Sequence, residues 1–313
     1  MRFRAQPWVP AAALAALCAL LIWGLSIYRN RGTWDVESMA AALPHDHSVI
    51  FYADLNAIRQ ADLLSQLVGT KSVEELDYRK FVTESGFDYK TDLDRFAIAF
   101  QDKSRFAVAV GRFDWTKIKN YALQSKAQCT NGVCEIKGNP LENLVSFYPM
   151  QGSALAMAST PNPGGVYSVA PNKTAGKLSD PWPTRAPVWI WVPGSIWRDP
   201  SKLPTGAKLF ASALAPSTNA LFTVEPTDRG KNLTLQVSIN CSNEQDAKKV
   251  LQQLEEATTL LHKMLTRDGL KPTPADLAGL LINGKFQIEN THVRGQWPLE
   301  MALIRSIAEG NVE

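Results

Sequence analysis

Hydrophobic and polar positions divide the chain into an uncharged amino-terminal run and a long region of mixed patterns. The run covers residues 8–28 and reads WVPAAALAALCALLIWGLSIY. An α-helix rises about 1.5 Å per residue, so this run would cross about 30 Å, the thickness of the hydrocarbon core of a bilayer. Aromatic residues near its ends and arginines beyond them are typical of segments that meet the membrane interface. The pattern predicts a transmembrane helix that contacts the lipid bilayer through residues 8–28.

This run is longer than the apolar stretch of a signal peptide, which is usually about 7 to 15 residues. Its small-x-small sequence, Gly24-Leu25-Ser26, lies inside the run. We therefore interpret residues 1–31 as an uncleaved membrane anchor with basic flanks, and a cleaved signal peptide is the alternative. Two arginines flank the run on each side, so the arginines leave its orientation open.

Strand and helix patterns begin after a polar connector at residues 32–47. The apolar run 49–53 predicts a buried strand, and Asp54 is placed to cap a following helix that would end at Gly69. A capping-box pattern at residues 72–75 predicts a second helix that stops before Gly86.

Two strands with the same alternation follow, at residues 96–100 and 106–110. Large apolar residues alternate with alanines in both. We therefore expect a hairpin with one bulky face and one alanine face. We also expect the helix that begins at Asp114 to lie close to the alanine face.

Cys129 and Cys134 flank Asn131-Gly132, which is a strong signal for a two-residue hairpin loop. The two cysteines then fall on a non-hydrogen-bonded pair with Cα atoms about 4.5 Å apart, close enough for a disulfide. Disulfides persist outside the cytosol, so this pair favours a cytoplasmic amino terminus and an extracytoplasmic main domain. Cys241 is in phase with Ile239 and is expected to be a buried thiol.

A Pro/Gly-rich connector, predicted at residues 160–187, separates a first half (48–159) from a second half (188–310). Residues 188–198 align with residues 49–59 without a gap. The later patterns predict an extra strand at 208–214, a hairpin at 219–239, a helix from Ser242 to Gly269, a short helix, a second hairpin and a helix started by Pro298. The sequence thus predicts an α+β fold with mainly antiparallel sheets, built from a duplicated strand-helix-hairpin-helix-hairpin unit.

Three short segments carry a resemblance: LPHDHSVIFYADL at residues 43–55, GFD at 86–88 and FAVAVGRFD at 106–114. They resemble a family of uncharacterised bacterial membrane-anchored proteins with a repeated extracytoplasmic domain of unknown function. The resemblance covers about residues 43–310. It implies a similar architecture and a cell-envelope location, and it brings neither a reaction nor catalytic residues.

The charge balance argues against a nucleic-acid partner. Of the 33 basic residues, four are arginines in the first 31 positions, where no acid occurs. The remaining chain therefore has 29 basic against 30 acidic residues and lacks the basic excess that nucleic-acid binding requires.

The sequence contains none of the motifs that mark common hydrolases, metalloproteases or nucleotide-binding loops. His45 and His47 form an H-x-H pair that suits a metal, but a solvated turn is the simpler interpretation. Asp92 and Asp94 are interpreted as turn residues rather than a catalytic pair. We predict no catalytic, metal or cofactor-binding residue. We expect a non-catalytic binding or structural module of the cell envelope, single-pass in the inner (plasma) membrane, and the alternative is an envelope hydrolase without a recognisable motif.

Four of the nine tryptophans lie within sixteen residues: Trp182, Trp189, Trp191 and Trp197. Strand alternation places Trp189 and Trp191 on one face. If they were exposed, these rings would form a platform for a glycan or an envelope protein. The opposite face, with Val188, Ile190 and Val192, is also apolar, so we favour a buried strand and assign the tryptophans to the core.

Overall fold

The computed structural model describes residues 34–61, 76–138, 143–151, 153–169, 186–199, 208–227, 232–269, 271, 273 and 276–308. The predicted membrane anchor at residues 8–28 lies outside this part of the chain. Within the described residues, no helix has the length and apolar character needed to cross a membrane.

The described chain is an α+β structure in which short helices interrupt antiparallel strands. Its helices are α1 (Val36–Ala41), α2 (Leu55–Gln60), α3 (Leu76–Ser85), α4 (Tyr89–Asp92), α5 (Trp115–Gln124), α6 (Gly194–Trp197), α7 (Lys208–Leu214), α8 (Glu244–Arg267), α9 (Leu277–Leu281) and α10 (Met301–Ala308), with a 3-10 helix at Gly165–Ser168. Its strands are β1 (Val49–Asp54), β2 (Leu93–Gln101), β3 (Ser104–Gly111), β4 (Gln128–Thr130), β5 (Val133–Lys137), β6 (Leu144–Met150), β7 (Ala154–Thr160), β8 (Val188–Pro193), β9 (Ser217–Thr227), β10 (Asn232–Cys241), β11 (Lys285–Glu289) and β12 (His292–Leu299).

All twelve strands form one sheet in the order β11-β12-β10-β9-β8-β1-β2-β3-β7-β6-β5-β4. Strands β1 and β8 open the two halves and pair with each other near the middle of the sheet. Outward from this pair, the order is similar on both sides: a hairpin comes first, and then the last strand of the half adds to it, β7 beside β3 and β12 beside β10. Strands β4 and β5 are additional to the first half.

The two faces of the sheet carry different layers. We call the side that bears Tyr52 and Trp189 the front face and the side that bears Phe51 and Ile190 the back face. On the front face, buried residues of the first half pack against α1 and Val166 of the 3-10 helix. On the back face, α7, α8 and α9 cover the second half, and Val250 and Leu254 of α8 are buried there.

Several helix starts follow from local capping, as the sequence predicts. Asp54 caps α2, because its carboxylate accepts a hydrogen bond from the Ala57 amide at 2.8 Å. Helix α2 ends at Gln60, well before Gly69, so the predicted end of this helix is wrong. Helix α3 stops before Gly86 as predicted.

The predicted division of the β2–β3 hairpin into a bulky and an alanine face is wrong. Gln101 pairs with Ser104 across a two-residue turn, so even-numbered positions of one strand face odd-numbered positions of the other. Phe96 therefore shares the back face with Ala109, and Val108 shares the front face with Ala97. Helix α5 does not use an alanine face. It packs against α3 and the β4–β5 hairpin.

Three elements of the second half also differ from the sequence prediction. Residues 208–214 form helix α7 rather than a strand, and its buried Ala211 and Leu214 have the three-residue spacing of a helix face. Asn243, not Ser242, caps α8, because its side chain accepts a hydrogen bond from the Asp246 amide. Pro298 lies in β12, and α10 begins at Met301.

The predicted connector at residues 160–187 is partly structured. Val166 and Val169 are fully buried against the front face of the first half. The amide of Val166 donates a hydrogen bond to Ser146 Oγ at 3.1 Å, which fixes the 3-10 helix to β6. Residues 170–185 lie outside the described part of the chain.

Candidate functional site

The front face of the second half is a polar surface. Two rows of side chains cross it through paired positions on neighbouring strands. The first row is Lys285, Gln296, Gln236, Thr223, Trp189 and Tyr52, and the second is Gln287, Arg294, Ser238, Leu221, Trp191 and Ile50. Both rows are polar on β11, β12 and β10 and become aromatic and apolar at β8 and β1. We call the part of this face on β9–β12 the open polar face.

Side-chain burial changes along the same direction. Lys285, Gln287, Arg294 and Gln296 are exposed, whereas Gln236 and Ser238 are half-buried. Thr223 is buried where the row reaches Trp189. The polar side chains thus become more buried toward the apolar core of the first half.

A depression with a volume of about 320 Å³ lies on the open polar face. Its lining residues are Leu221, Thr223, Gln236, Val237, Ser238, Lys285, Gln287, Arg294, Gly295 and Gln296. Among the described lining residues, Lys285 and Arg294 are the cations, and none is a carboxylate. The remaining polar groups are amides and hydroxyls, which both donate and accept hydrogen bonds.

Two carboxylates lie beside the depression and interact with its lining. Arg294 Nη2 is 3.1 Å from Glu289 Oε2, and both side chains are more than half exposed. Gln236 Nε2 donates a hydrogen bond to Glu225 Oε2 at 3.3 Å. An exposed ion pair of this kind contributes only about 0 to 1 kcal/mol, so Arg294 is held weakly.

A third row closes one end of the open polar face with a hydrogen-bonded chain. Asn240 Nδ2 donates to Asn219 Oδ1 at 3.0 Å, and His292 Nδ1 lies 2.6 Å from Asn240 Oδ1. With this amide orientation, Asn240 Oδ1 is the acceptor and His292 Nδ1–H donates the hydrogen bond.

The described tryptophans do not form one platform. Trp189 is 1% exposed and stacks on Tyr52, with ring centroids 5.2 Å apart. Trp191 lies on the same face as Trp189, as predicted, but it is half-buried rather than in the core, and its ring meets His45 edge-on at 6.5 Å. Trp197 packs against Phe222 on the back face, and Trp182 lies outside the described residues. The strand is buried on its back face at Val192 but leaves Ile190 36% exposed.

Burial changes the ionisation of two side chains near the tryptophans. It raises the pKa of Tyr52, and the nearby Asp54 raises it further. Burial also lowers the pKa of His45, against the opposing effect of Asp46. Both groups are therefore neutral at pH 7 and suit an apolar environment.

The histidines offer no assembled metal site. Within the described residues, no group of three or more His, Cys, Asp or Glu side chains is arranged to hold a metal ion. His47 instead places Nδ1 3.3 Å from Ser195 Oγ at the surface. A serine nucleophile would also need a group that orients the imidazole. Among the described residues, no carboxylate is hydrogen-bonded to His47.

Asp92 and Asp94 have structural partners, but they are not turn residues as interpreted from the sequence: Asp92 is the last residue of α4 and Asp94 lies in β2. Asp94 Oδ1 lies 3.0 Å from Arg59 Nη2, and Asp92 Oδ1 lies 3.2 Å from Arg112 Nη2. Arg59 also donates to the carbonyl of Leu93 at 2.8 Å. The contacts of Arg59 join helix α2 to the start of β2, and both carboxylates have a structural role.

The predicted disulfide is present. Cys129 and Cys134 are paired positions of β4 and β5, their Cα atoms are 4.0 Å apart, and their sulfur atoms are bonded. Cys241 is a buried free thiol, as predicted. Burial raises its pKa to about 11, and Asp246 adds to the shift.

None of the residues that line the depression stands out in the sequence by type. The available signal is the polar alternation Thr234, Gln236, Ser238 and Asn240 on β10, repeated as His292, Arg294 and Gln296 on β12. Such alternation predicts a strand with one wet face. That these wet faces adjoin depends on the pairing of β10 with β12, which is a tertiary property.

No family model matches this chain, and no curated protein matches it. One similar solved structure is described as "Structure of crystal form I of TP0453". It is 8% identical, with a TM-score of 0.47, and the match covers 88% of this chain and 98% of that one. A likeness of this size is too distant to inform on function.

Proposed function

We propose that this protein is a non-catalytic binding module of the cell envelope, anchored in the inner membrane by residues 8–28, with its main domain on the extracytoplasmic side. The observation that carries the proposal is the open polar face. On this face, amides, hydroxyls and two cations line one depression, and a concave site with a few convergent polar groups is the usual form of a ligand-binding site.

The Cys129–Cys134 disulfide supports the extracytoplasmic location, because such bonds persist in oxidising compartments. The uncharged run at residues 8–28 supports the anchor. These two features are independent, since one is a sequence pattern and the other is a bond within the folded domain.

We also infer that the two halves arose by duplication. The similar strand order on both sides of the β1–β8 pair supports this inference. The two halves differ at the open polar face, because the matching face of the first half is covered by α1 and the 3-10 helix.

Site-specific crosslinking in cells tests the binding function. A photoreactive phenylalanine analogue in place of Gln287 lies on the open polar face, and the same analogue in place of Lys119 on α5 is an exposed control. We expect light-dependent adducts of the full-length protein from position 287 and not from position 119. Equal adducts from both positions, or none from position 287, would contradict the proposal.

A further inference from the structure

We propose that the depression on the open polar face binds a carboxylate-bearing oligosaccharide of the cell envelope. This inference rests on the proposed binding function and specifies its ligand. Its first support is local charge: the described lining residues include Lys285 and Arg294 and no carboxylate, and the neighbouring Glu289 and Glu225 lie outside the lining. A ligand that complements this depression is therefore anionic.

The spacing of Lys285 and Arg294 allows one ligand to lie between the two cations. Lys285 pairs with Gln296 and Gln287 pairs with Arg294, so Lys285 and Arg294 are diagonal neighbours on adjacent strands. The Cα atoms of diagonal neighbours lie about 7 to 8 Å apart. An anion between the two side chains offsets the repulsion between their like charges.

Arg294 is free to change its partner. Its contact with Glu289 joins two exposed side chains, so a ligand carboxylate can displace Glu289 at small cost. A guanidinium binds a planar carboxylate through two parallel hydrogen bonds, a geometry that the ammonium group of a lysine does not provide. Arg294 is thus the main recognition residue, and Lys285 adds charge.

The uncharged lining fits sugar hydroxyls. Gln236, Ser238 and Gln287 supply both donors and acceptors, and a sugar hydroxyl also acts as both. These side chains stand on paired strands, which hold them at fixed spacing. At about 320 Å³, the depression is at the lower end of small-molecule sites, which suits about one or two sugar rings of a longer chain.

The test measures binding of the full-length protein, reconstituted in zwitterionic nanodiscs, to tetragalacturonate. The same tetrasaccharide with its carboxylates methyl-esterified is the neutral probe. We expect binding of the acidic probe that weakens as salt is raised, and no binding of the ester. Arg294→Gln should weaken binding about tenfold or more, and Lys119→Gln should leave it unchanged.

The other outcomes separate this inference from the proposed function. Equal binding of the ester would overturn the carboxylate requirement. Tighter binding of inorganic polyphosphate than of tetragalacturonate would assign the site to phosphates instead. Loss of all saccharide binding, with crosslinks retained at position 287, would overturn the ligand class and keep the binding module. Loss of the crosslinks as well would overturn both. Thermal melts of each variant establish that it is folded.

Discussion

The ring of Trp189 stacks on the ring of Tyr52, with centroids 5.2 Å apart and planes inclined by 14°. Tyr52 belongs to β1 and Trp189 to β8, so this contact joins the two halves at the middle of the sheet. Both side chains are almost fully buried, in the same cluster as Met39 of α1. The segment that follows the predicted anchor thus packs on the junction between the halves.

Trp189→Ala is expected to destabilise the protein by about 3 to 5 kcal/mol, since it removes a large buried ring from a packed core. Trp191→Ala should cost less, because Trp191 is half-buried. Urea denaturation followed by far-UV circular dichroism measures both. A double variant that keeps full stability but loses crosslinking at position 287 would instead assign the two rings to a binding platform.

Two other tryptophans give a matched comparison of buried N–H groups. Trp34 Nε1 donates to the carbonyl of Gln151 at 2.7 Å, whereas Trp197 Nε1 is buried without a hydrogen-bond partner in the described structure. Phenylalanine keeps most of the apolar surface at each site. Trp34→Phe should therefore cost about 1 kcal/mol more than Trp197→Phe, which removes an unsatisfied donor. If both variants lose the same free energy of unfolding in the urea experiment, the hydrogen bond assigned to Trp34 alone is contradicted.

The contact between Ser195 and His47 allows a direct test of the hydrolase alternative. The described residues provide no carboxylate to orient His47, so Ser195 is not expected to be nucleophilic. A fluorophosphonate probe should leave the full-length protein unlabelled. Labelling that disappears in Ser195→Ala would establish the hydrolase and contradict the non-catalytic proposal.

The part of the fold that could be predicted from sequence is the part fixed by short-range chemistry. The Cys129–Cys134 pair depends only on a two-residue loop, and the Asp54 cap depends only on the next three residues. Whether a turn has an even or odd number of residues is also a local property, but alternation alone does not reveal it. Because Asp102 and Lys103 form a two-residue turn, the β2–β3 pairing places one bulky residue opposite each alanine. Counting turn residues would have corrected that prediction.

The remaining errors and omissions come from tertiary context. Residues 208–214 have an ambiguous short apolar pattern, and packing of Ala213 against α8 supports a helix there. The open polar face depends on the pairing of β12 with β10 and β11 and on which layers cover each face. Neither property is encoded in one segment, so Arg294 is indistinguishable from any exposed strand residue in the sequence.

Thiol labelling tests the compartment through three cysteines of the folded domain. In protein extracted without reductant, Cys129 and Cys134 should not react with a maleimide, because they are bonded to each other. Cys241 should react slowly at pH 8 and remain slow at pH 9, because burial raises its pKa to about 11 and keeps it a thiol. An exposed thiol, with a pKa of about 8.5, would react faster over the same range.

The raised pKa of Cys241 also predicts a loss of stability at alkaline pH. Folding favours the neutral thiol, so its contribution is intact below the unfolded pKa of about 8.5 and falls as the pH rises toward 11. Cys241→Ser, which does not titrate there, should reduce this alkaline loss.

Replacing Cys129 and Cys134 by serine should cost about 2 kcal/mol, the chain-entropy value for a short closed loop. If both cysteines react in the native protein extracted without reductant, the extracytoplasmic location loses its main support and a cytoplasmic domain becomes the better proposal, because an oxidising compartment would have kept this hairpin bond closed.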